Sequence, residues 1–318
     1  MSTKLPLKTS YKGYKKPEYS NICVAMGIFN PMQYANIITN LKIVCQELEK
    51  SKIPYYIIEL LYPNQSSMIP NSFTVRGQTY FFVKENLWNL LEKRIPSKYE
   101  KIIFLDADVL CSDPEWVNKI AEKLQIKKVV HASEYLYRDI YSNNIYEDIT
   151  LTPINSQPSV VKAIKNQIQF NPLKFHPGFN VCIDRNFFHK INGFFEHTPV
   201  TIGDTIFWVS FIPNYRYYCA TFFSAPNMKT QREMFYEYRN NVLSSCEPIK
   251  DIDYIENNNC LHLYHGSLKN RNYGHQYKFI PGPFKLYKNN DGVIEIEIKH
   301  PYVKDMKKYF EERKDDNT

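Results

Sequence analysis

The chain has 318 residues, 43% hydrophobic and 23% charged, enough to bury a substantial core in one large domain or two small ones. Its net charge is only +7 and its basic residues are dispersed, so nothing in the composition or motifs supports nucleic-acid binding. No apolar run approaches the ~18 residues of a membrane span, and the N-terminus lacks the apolar segment of a secretory signal. Seven cysteines without a CxxC pair read as reduced, buried side chains of a cytoplasmic protein, not as a disulfide framework or zinc site.

Residues 1–20 carry five lysines between Lys4 and Lys16, with Pro6, Gly13 and Pro17, the composition of a flexible basic leader. Ile22 to Phe29 (ICVAMGIF) is a buried strand that stops at Asn30-Pro31. Gln33 to Lys50 has helical spacing through Ile37, Leu41, Val44 and Leu48. Pro54 to Leu61 is a second strand, Val83 to Lys93 an amphipathic helix, and Lys101 to Leu105 the next strand. This alternation implies an α/β fold, a mainly parallel central sheet flanked by helices. Ligands of such sheets bind beyond the carboxyl ends of the strands, where Asn30 and Asp106 fall. No glycine-rich phosphate loop of the Walker or dinucleotide type is present, which weighs against kinases and dehydrogenases.

Residues 101–116, KIIFLDADVLCSDPEW, are the most informative stretch. An apolar strand ends in Asp106-Ala107-Asp108, and a helix start follows, with Asp113 as N-cap and Pro114 at the first helical position. If the strand continued, Asp106 and Asp108 would point to one side. Two carboxylates that close repel by about 4 kcal/mol at ~4 Å and an effective dielectric near 20. A divalent cation such as Mg²⁺ or Mn²⁺ removes that penalty. A solvated turn accounts for a bare Asp-x-Asp equally well; the buried strand before it and the helix after it favour the metal.

From about Glu134 to Phe175 the pattern gives way to Tyr-, Asn- and Pro-rich sequence, read as an insertion with one helix around Ser159 to Ile168. Within it Tyr135 to Tyr146 is a candidate acceptor lid, with plain connector as the alternative. Phe179 to Ile183 is a short strand, and Asp184 caps a helix that Gly193 ends. Asp204 opens a helix to Ile212 that is apolar on most sides, and its carboxylate is either a functional acid or simply an N-cap. Leu261 to Gly266 (LHLYHG) is a strand whose His262 and His265, three apart, face opposite sides, so that one or the other is a candidate ligand, with a satisfied core histidine as the alternative. Lys269, Asn270, Arg271 and Tyr273 then form a loop suited to a polyphosphate, or a basic surface turn. The 25 tyrosines and 20 phenylalanines suit stacking on sugars as well as a Tyr-rich core.

In that order, LDADV, HPGFNVCIDRNFFHKINGFFE, IGDTIFW and HLYHGSLKNRNY resemble the metal-dependent glycosyltransferases of the GT-A fold, particularly the galactosyltransferase-like group with bacterial and viral members. The resemblance runs from roughly Ile22 to Tyr273. Phe188, Lys190, Ile191, Asn192, Gly193 and Phe194 are similar to that group's Phe-x-Lys-Ile-Asn-Gly-Phe helix end. Phe82 to Leu87 and Tyr309-Phe310-x-x-Arg313 also resemble segments of these relatives. The resemblance implies a Rossmann-like sandwich: a single catalytic domain over 21–300, with a nucleotide-binding half (21–135) and an acceptor half (136–300), and a helical tail over 301–318. It implies Mn²⁺ or Mg²⁺, a nucleotide-sugar donor, often UDP-linked, and a glycan, protein or lipid-linked saccharide acceptor. By position it makes Asp108 the direct metal ligand, with Asp106 in the metal set through the metal's waters or the ribose, and His265 as the third ligand with His262 as the alternative. Phe29, Asn30, Arg76, Lys84, Asp106, Lys269 and Arg271 are the implied donor contacts. Asp204 becomes the base in transfer with inversion, although Thr205-Ile206-Phe207 replace the family's acidic and tryptophan residues after it. The rival expectations are a sugar nucleotidyltransferase, whose usual glycine-rich loop is missing, and a non-catalytic carbohydrate-binding protein.

Overall fold

The computed structural model describes residues 7–141, 148–151, 156–168, 174–198, 200–212, 228–271 and 285–316. Through the first half the elements are β1 (Leu7–Ser10), β2 (Ile22–Phe29), α1 (Ala35–Lys50), β3 (Tyr55–Leu61), β4 (Phe73–Arg76), α2 (Lys84–Glu92), β5 (Lys101–Leu105), β6 (Val109–Cys111), α3 (Trp116–Lys123) and β7 (Val129–His131). There follow β8 (Tyr135–Ile140), β9 (Asp148–Leu151), β10 (Ser156–Pro158), α4 (Val160–Lys165), β11 (Asn180–Asp184), α5 (Arg185–Lys190) and α6 (Gly203–Val209). The remainder includes β12 (Ile252–Tyr254), β13 (Asn259–Leu263) and the helices Lys229–Ser245 and Pro301–Glu312.

Period-two alternation builds the centre of the molecule. In β2, Cys23 and Ala25 enter one hydrophobic core while Ile22, Val24, Met26 and Ile28 enter another; in β5, Ile102 and Phe104 divide from Ile103 and Leu105 in the same way. The sheet between the cores has seven strands in the order β12-β7-β11-β5-β2-β3-β4. β5, β2, β3 and β4 run parallel, β12 runs parallel to β7, and β11 alone is reversed against both its neighbours. The expected α/β architecture is therefore present, mainly parallel and flanked by helices. One core is covered by α2, α5, α6 and the two long C-terminal helices. The other lies under α1, α3 and a second, four-stranded sheet ordered β10-β8-β13-β6.

Several expectations need correction. The leader is not flexible from Leu7 onward, because β1 pairs with β9 and Tyr11, buried, donates to Glu47 Oε2 at 3.0 Å. Tyr14 adds a ring contact to Trp116 at 5.5 Å, so aromatic anchoring outweighs the lysines. Residues 135–140 of the supposed lid form β8, a strand held between β10 and β13; residues 142–146 lie outside the described residues. Asp113 does not cap α3 directly: the helix starts at Trp116, and Asp113 Oδ1 accepts from Glu115 N. Asp184 does cap α5, accepting from Phe187 N at 2.8 Å, and Gly193 follows it at φ +76°. The helical tail ends at Glu312, and the chain beyond it turns back toward α1. Helix Lys229–Ser245 escaped sequence reading because its buried positions include Gln231 and Ser245, leaving too sparse an apolar stripe. The described cysteines are free, and no described helix is long and apolar enough to cross a membrane.

Candidate functional site

The apolar run of β5 is fully buried and terminates at Leu105, opposite Asn180 at the start of the reversed β11. The Asp106 N–H continues that ladder by donating to Phe179 O at 2.9 Å. A tight turn then carries the chain out of the central sheet, and β6 joins β13 in the second sheet. The two carboxylates consequently part. Asp106 meets Lys84, Nζ to Oδ1 3.1 Å, and it does not join the metal-competent group. Asp108 turns toward the histidines.

His265 Nε2 stands 2.7 Å and His262 Nε2 3.6 Å from Asp108 Oδ2. The expectation that only one imidazole faces this carboxylate fails for a local reason. The pairing of β13 with β8 shifts register between Leu261 and Leu263, and the strand ends before Tyr264, so strict alternation is lost. Phe179 fixes one ring by stacking on His262 at 4.8 Å and 13°. Its own φ of +80° is costly for a bulky residue and is held there by this packing. Burial raises the Asp108 carboxyl, but both imidazoles outweigh it and hold it well below the usual range. Burial drives His262 well below its ordinary value, so it is neutral and able to ligate. Burial also lowers His265, but Asp108 outweighs this and the net direction is upward. The three ligand atoms lie within 4.8 Å of one another. One carboxylate oxygen and two imidazole nitrogens converging at this range fit a divalent cation that tolerates mixed N/O ligation.

A second group of charges adjoins the first. Lys84, the first residue of α2, reaches Asp106 and also Asp204 Oδ2, at 3.9 Å, on the first turn of α6. Burial lowers Lys84, but the three carboxylates of Asp106, Asp204 and Glu85 outweigh it and keep its ammonium above the ordinary range. Asp106 is raised, by burial first, against the pull of Lys84. Glu85, only 6% exposed, is pushed up to about 7 by burial, with Asp204 adding to the effect. Two glycines make room for these contacts. A Cβ on Gly203 would fall 2.0 Å from Glu85 Cδ, and one on Gly178 would fall 2.6 Å from Asp204 Oδ2.

The remaining residues expected at the site fare differently. Arg271 is buried and its guanidinium donates to His265 O at 3.4 Å. Lys269 is exposed on the same short helical turn, and Tyr273 lies outside the described residues. The Asn30 side chain is engaged locally: its amide donates to Tyr34 O and accepts from Tyr34 N, at 2.8 and 2.9 Å, closing the turn into α1. Phe29 packs edge-on against Phe82 and Phe310. Arg76 ends the edge strand β4, three strands from β5, roughly 14 Å at the usual inter-strand spacing, and the fold does not bring it to Asp106. Sequence reasoning missed Glu85, Phe179 and Asp315. Glu85 is signalled only by its adjacency to Lys84; Asp315 has no local signal.

No protein-family model and no curated protein matches this chain. Among solved structures it is similar to the catalytic domain of Drosophila β1,4-galactosyltransferase 7 in complex with xylobiose, at 11% identity and TM-score 0.41, covering 89% of this chain and 98% of that one. Mannosyl-3-phosphoglycerate synthase from Rubrobacter xylanophilus gives 8% identity and TM-score 0.40, over 87% and 83% of the two chains. Glucosyl-3-phosphoglycerate synthase from Mycobacterium tuberculosis with Mg²⁺ and uridine diphosphate gives 10% and 0.35, over 92% and 95%. Likeness at this level assigns no activity to this chain.

Proposed function

We propose that the protein is a GT-A-type glycosyltransferase that moves a sugar from a nucleoside-diphosphate donor, UDP-linked by preference, to a hydroxyl acceptor. The observation that carries this reading is the convergence of His262 and His265 on Asp108, beside the Lys84, Asp106 and Asp204 charges, at the C-terminal edge of a mainly parallel sheet. Asp108, His262 and His265 would hold the cation. Their two imidazoles weight the choice toward Mn²⁺ over Mg²⁺, and the ion supplies Lewis-acid stabilisation of the diphosphate.

In the reaction the acceptor oxygen forms a bond to the anomeric carbon while the bond from that carbon to the phosphoryl oxygen breaks, its electron pair leaving on the nucleoside diphosphate. Asp204 takes the acceptor's proton, a general-base contribution of typically ~10² to 10⁴ in rate. Lys84 orients Asp204 and ties it to Asp106, which would hold the donor's ribose. Arg271 adds fixed positive charge beside the departing phosphates, and Lys269 reaches them from the exposed side of the same turn. Attack opposite the leaving group gives inversion.

A panel of nucleotide sugars incubated with the protein and Mn²⁺ tests the proposal by nucleoside-diphosphate release. Metal-stimulated release of UDP with one sugar, absent in Asp108→Asn, is expected. No release and no Mn²⁺-dependent UDP binding in calorimetry would refute it. Pyrophosphate release from a nucleoside triphosphate and a sugar phosphate would replace it with nucleotidyl transfer.

A further inference from the structure

The C-terminal end of the described chain reaches the cation site from behind. After helix Pro301–Glu312, Asp316 accepts from the N–H groups of Ala35 and Asn36, both at 2.8 Å, capping α1, and Asn36 Nδ2 donates to Asp315 O at 2.9 Å. Tyr34 OH donates to Phe310 O at 2.7 Å and accepts from Lys314 N at 3.2 Å. This docking carries the Asp315 carboxylate, 1% exposed, to 3.7 Å from His265 Nδ1, on the opposite side of the ring from Asp108. Arg313 holds Asp315 Oδ2 at 2.8 Å. Gly266, at φ +105°, makes the approach sterically feasible: a Cβ there would sit 2.9 Å from Asp315 Cα.

His265 Nδ1 is a buried atom without a hydrogen bond, and Asp315 Oδ2, paired with Arg313, faces it slightly beyond bonding range. A buried ring nitrogen left unmet in this way costs free energy unless some state of the protein closes the gap. An imidazole that gives Nε2 to a cation carries its remaining proton on Nδ1, and that N–H then needs an acceptor. We propose that Asp315 is the positioning residue of the ligand His265, receiving the Nδ1–H and fixing the ring with Nε2 toward the cation. The chain's last described turn is thus a structural part of the metal centre. This rests on the reading of Asp108, His262 and His265 as cation ligands.

Mn²⁺ titrations of the full-length protein, followed by electron paramagnetic resonance of the free ion without nucleotide, test the proposal. Asp315→Asn is expected to weaken Mn²⁺ about 10- to 100-fold, the range for loss of such a partner. Asp316→Asn loosens the same tail without touching His265 and is expected to keep wild-type affinity. Equal loss in both variants would make the tail a mere clamp and overturn the proposal, as would unchanged affinity in Asp315→Asn. If the wild-type protein binds no Mn²⁺, the cation reading itself fails. Should Asp315→Asn not fold, long-range ¹H–¹⁵N spectra of wild-type protein with Mg²⁺ decide: a proton on His265 Nδ1 supports the assignment, and one on Nε2 overturns it.

Discussion

Replacing Glu85 by glutamine should stabilise the protein at pH 8 and change it little at pH 5. The carboxyl is buried, and burial lifts it from 4.5 to about 7. In the unfolded chain it ionises near its ordinary value. Between those two values the folded state keeps a proton that the unfolded state has released, so stability falls as pH rises from about 4.5 to about 7 and stays low above that. A gap of that size corresponds to roughly 3 kcal/mol. An unfolding entropy near 2.1 cal/mol/K per residue gives about 0.67 kcal/mol/K for 318 residues, so the penalty is about 5 °C in Tm. Glutamine keeps the shape and never ionises. Calorimetric scans of both proteins from pH 5 to 8, with a chelator to keep cations out, should show a difference that is small at pH 5 and grows to about 5 °C in favour of Glu85→Gln at pH 8. Parallel curves would refute the claim that desolvation of this carboxylate governs the slope.

Asp108→Asn should lower Mn²⁺ affinity by more than about 100-fold, whereas Asp106→Asn, which loses only the Lys84 pair, should stay within about 10-fold by the same titration. Gly178→Ala pushes a methyl to within 2.6 Å of Asp204 Oδ2 and 2.9 Å of His176 Cε1. Displacing the base by such an amount should cost about 100-fold in sugar transfer with Mn²⁺ affinity unchanged; a fall in affinity alone would contradict the separation of the two charge groups. Arg185→Ala removes the pair with Glu92 at 2.6 Å and donors to four carbonyls between α2 and β5, and should cost about 3–5 kcal/mol in thermal unfolding without altering metal binding.

The layers were legible because periodicity is a local property. The run Ile22 to Phe29 alternates between two cores, and Ile102 to Leu105 does the same, so each announces a buried strand without help from elsewhere. Asp106 and Asp108 were legible as acids at a strand end for the same reason. Their divergence was not, because it depends on β6 pairing with β13, which lies about 150 residues later in sequence. The pairing of His262 with His265 was misread where a register shift breaks the period-two rule. Asn30 falls at the strand end by position, and its role in closing the turn into α1 has no signal in the local pattern.

The reversed strand explains why the two charge groups can stand side by side at all. In a wholly parallel sheet every strand would bring its C-terminal end to the binding edge, and the neighbour of β5 would arrive there already leaving the sheet. Because β11 runs the other way, it enters at that edge, and the residues leading into it, His176 to Phe179, lie across the site. Phe179 O accepts from Asp106 N while its ring stacks on His262, and Gly178 leaves the space that Asp204 Oδ2 occupies. One short segment therefore sets the spacing between cation ligands and base. Each of these contacts depends on the backbone or ring of Gly178 and Phe179 and not on an ionisable group, which is why a search for acids and bases passes over these two residues.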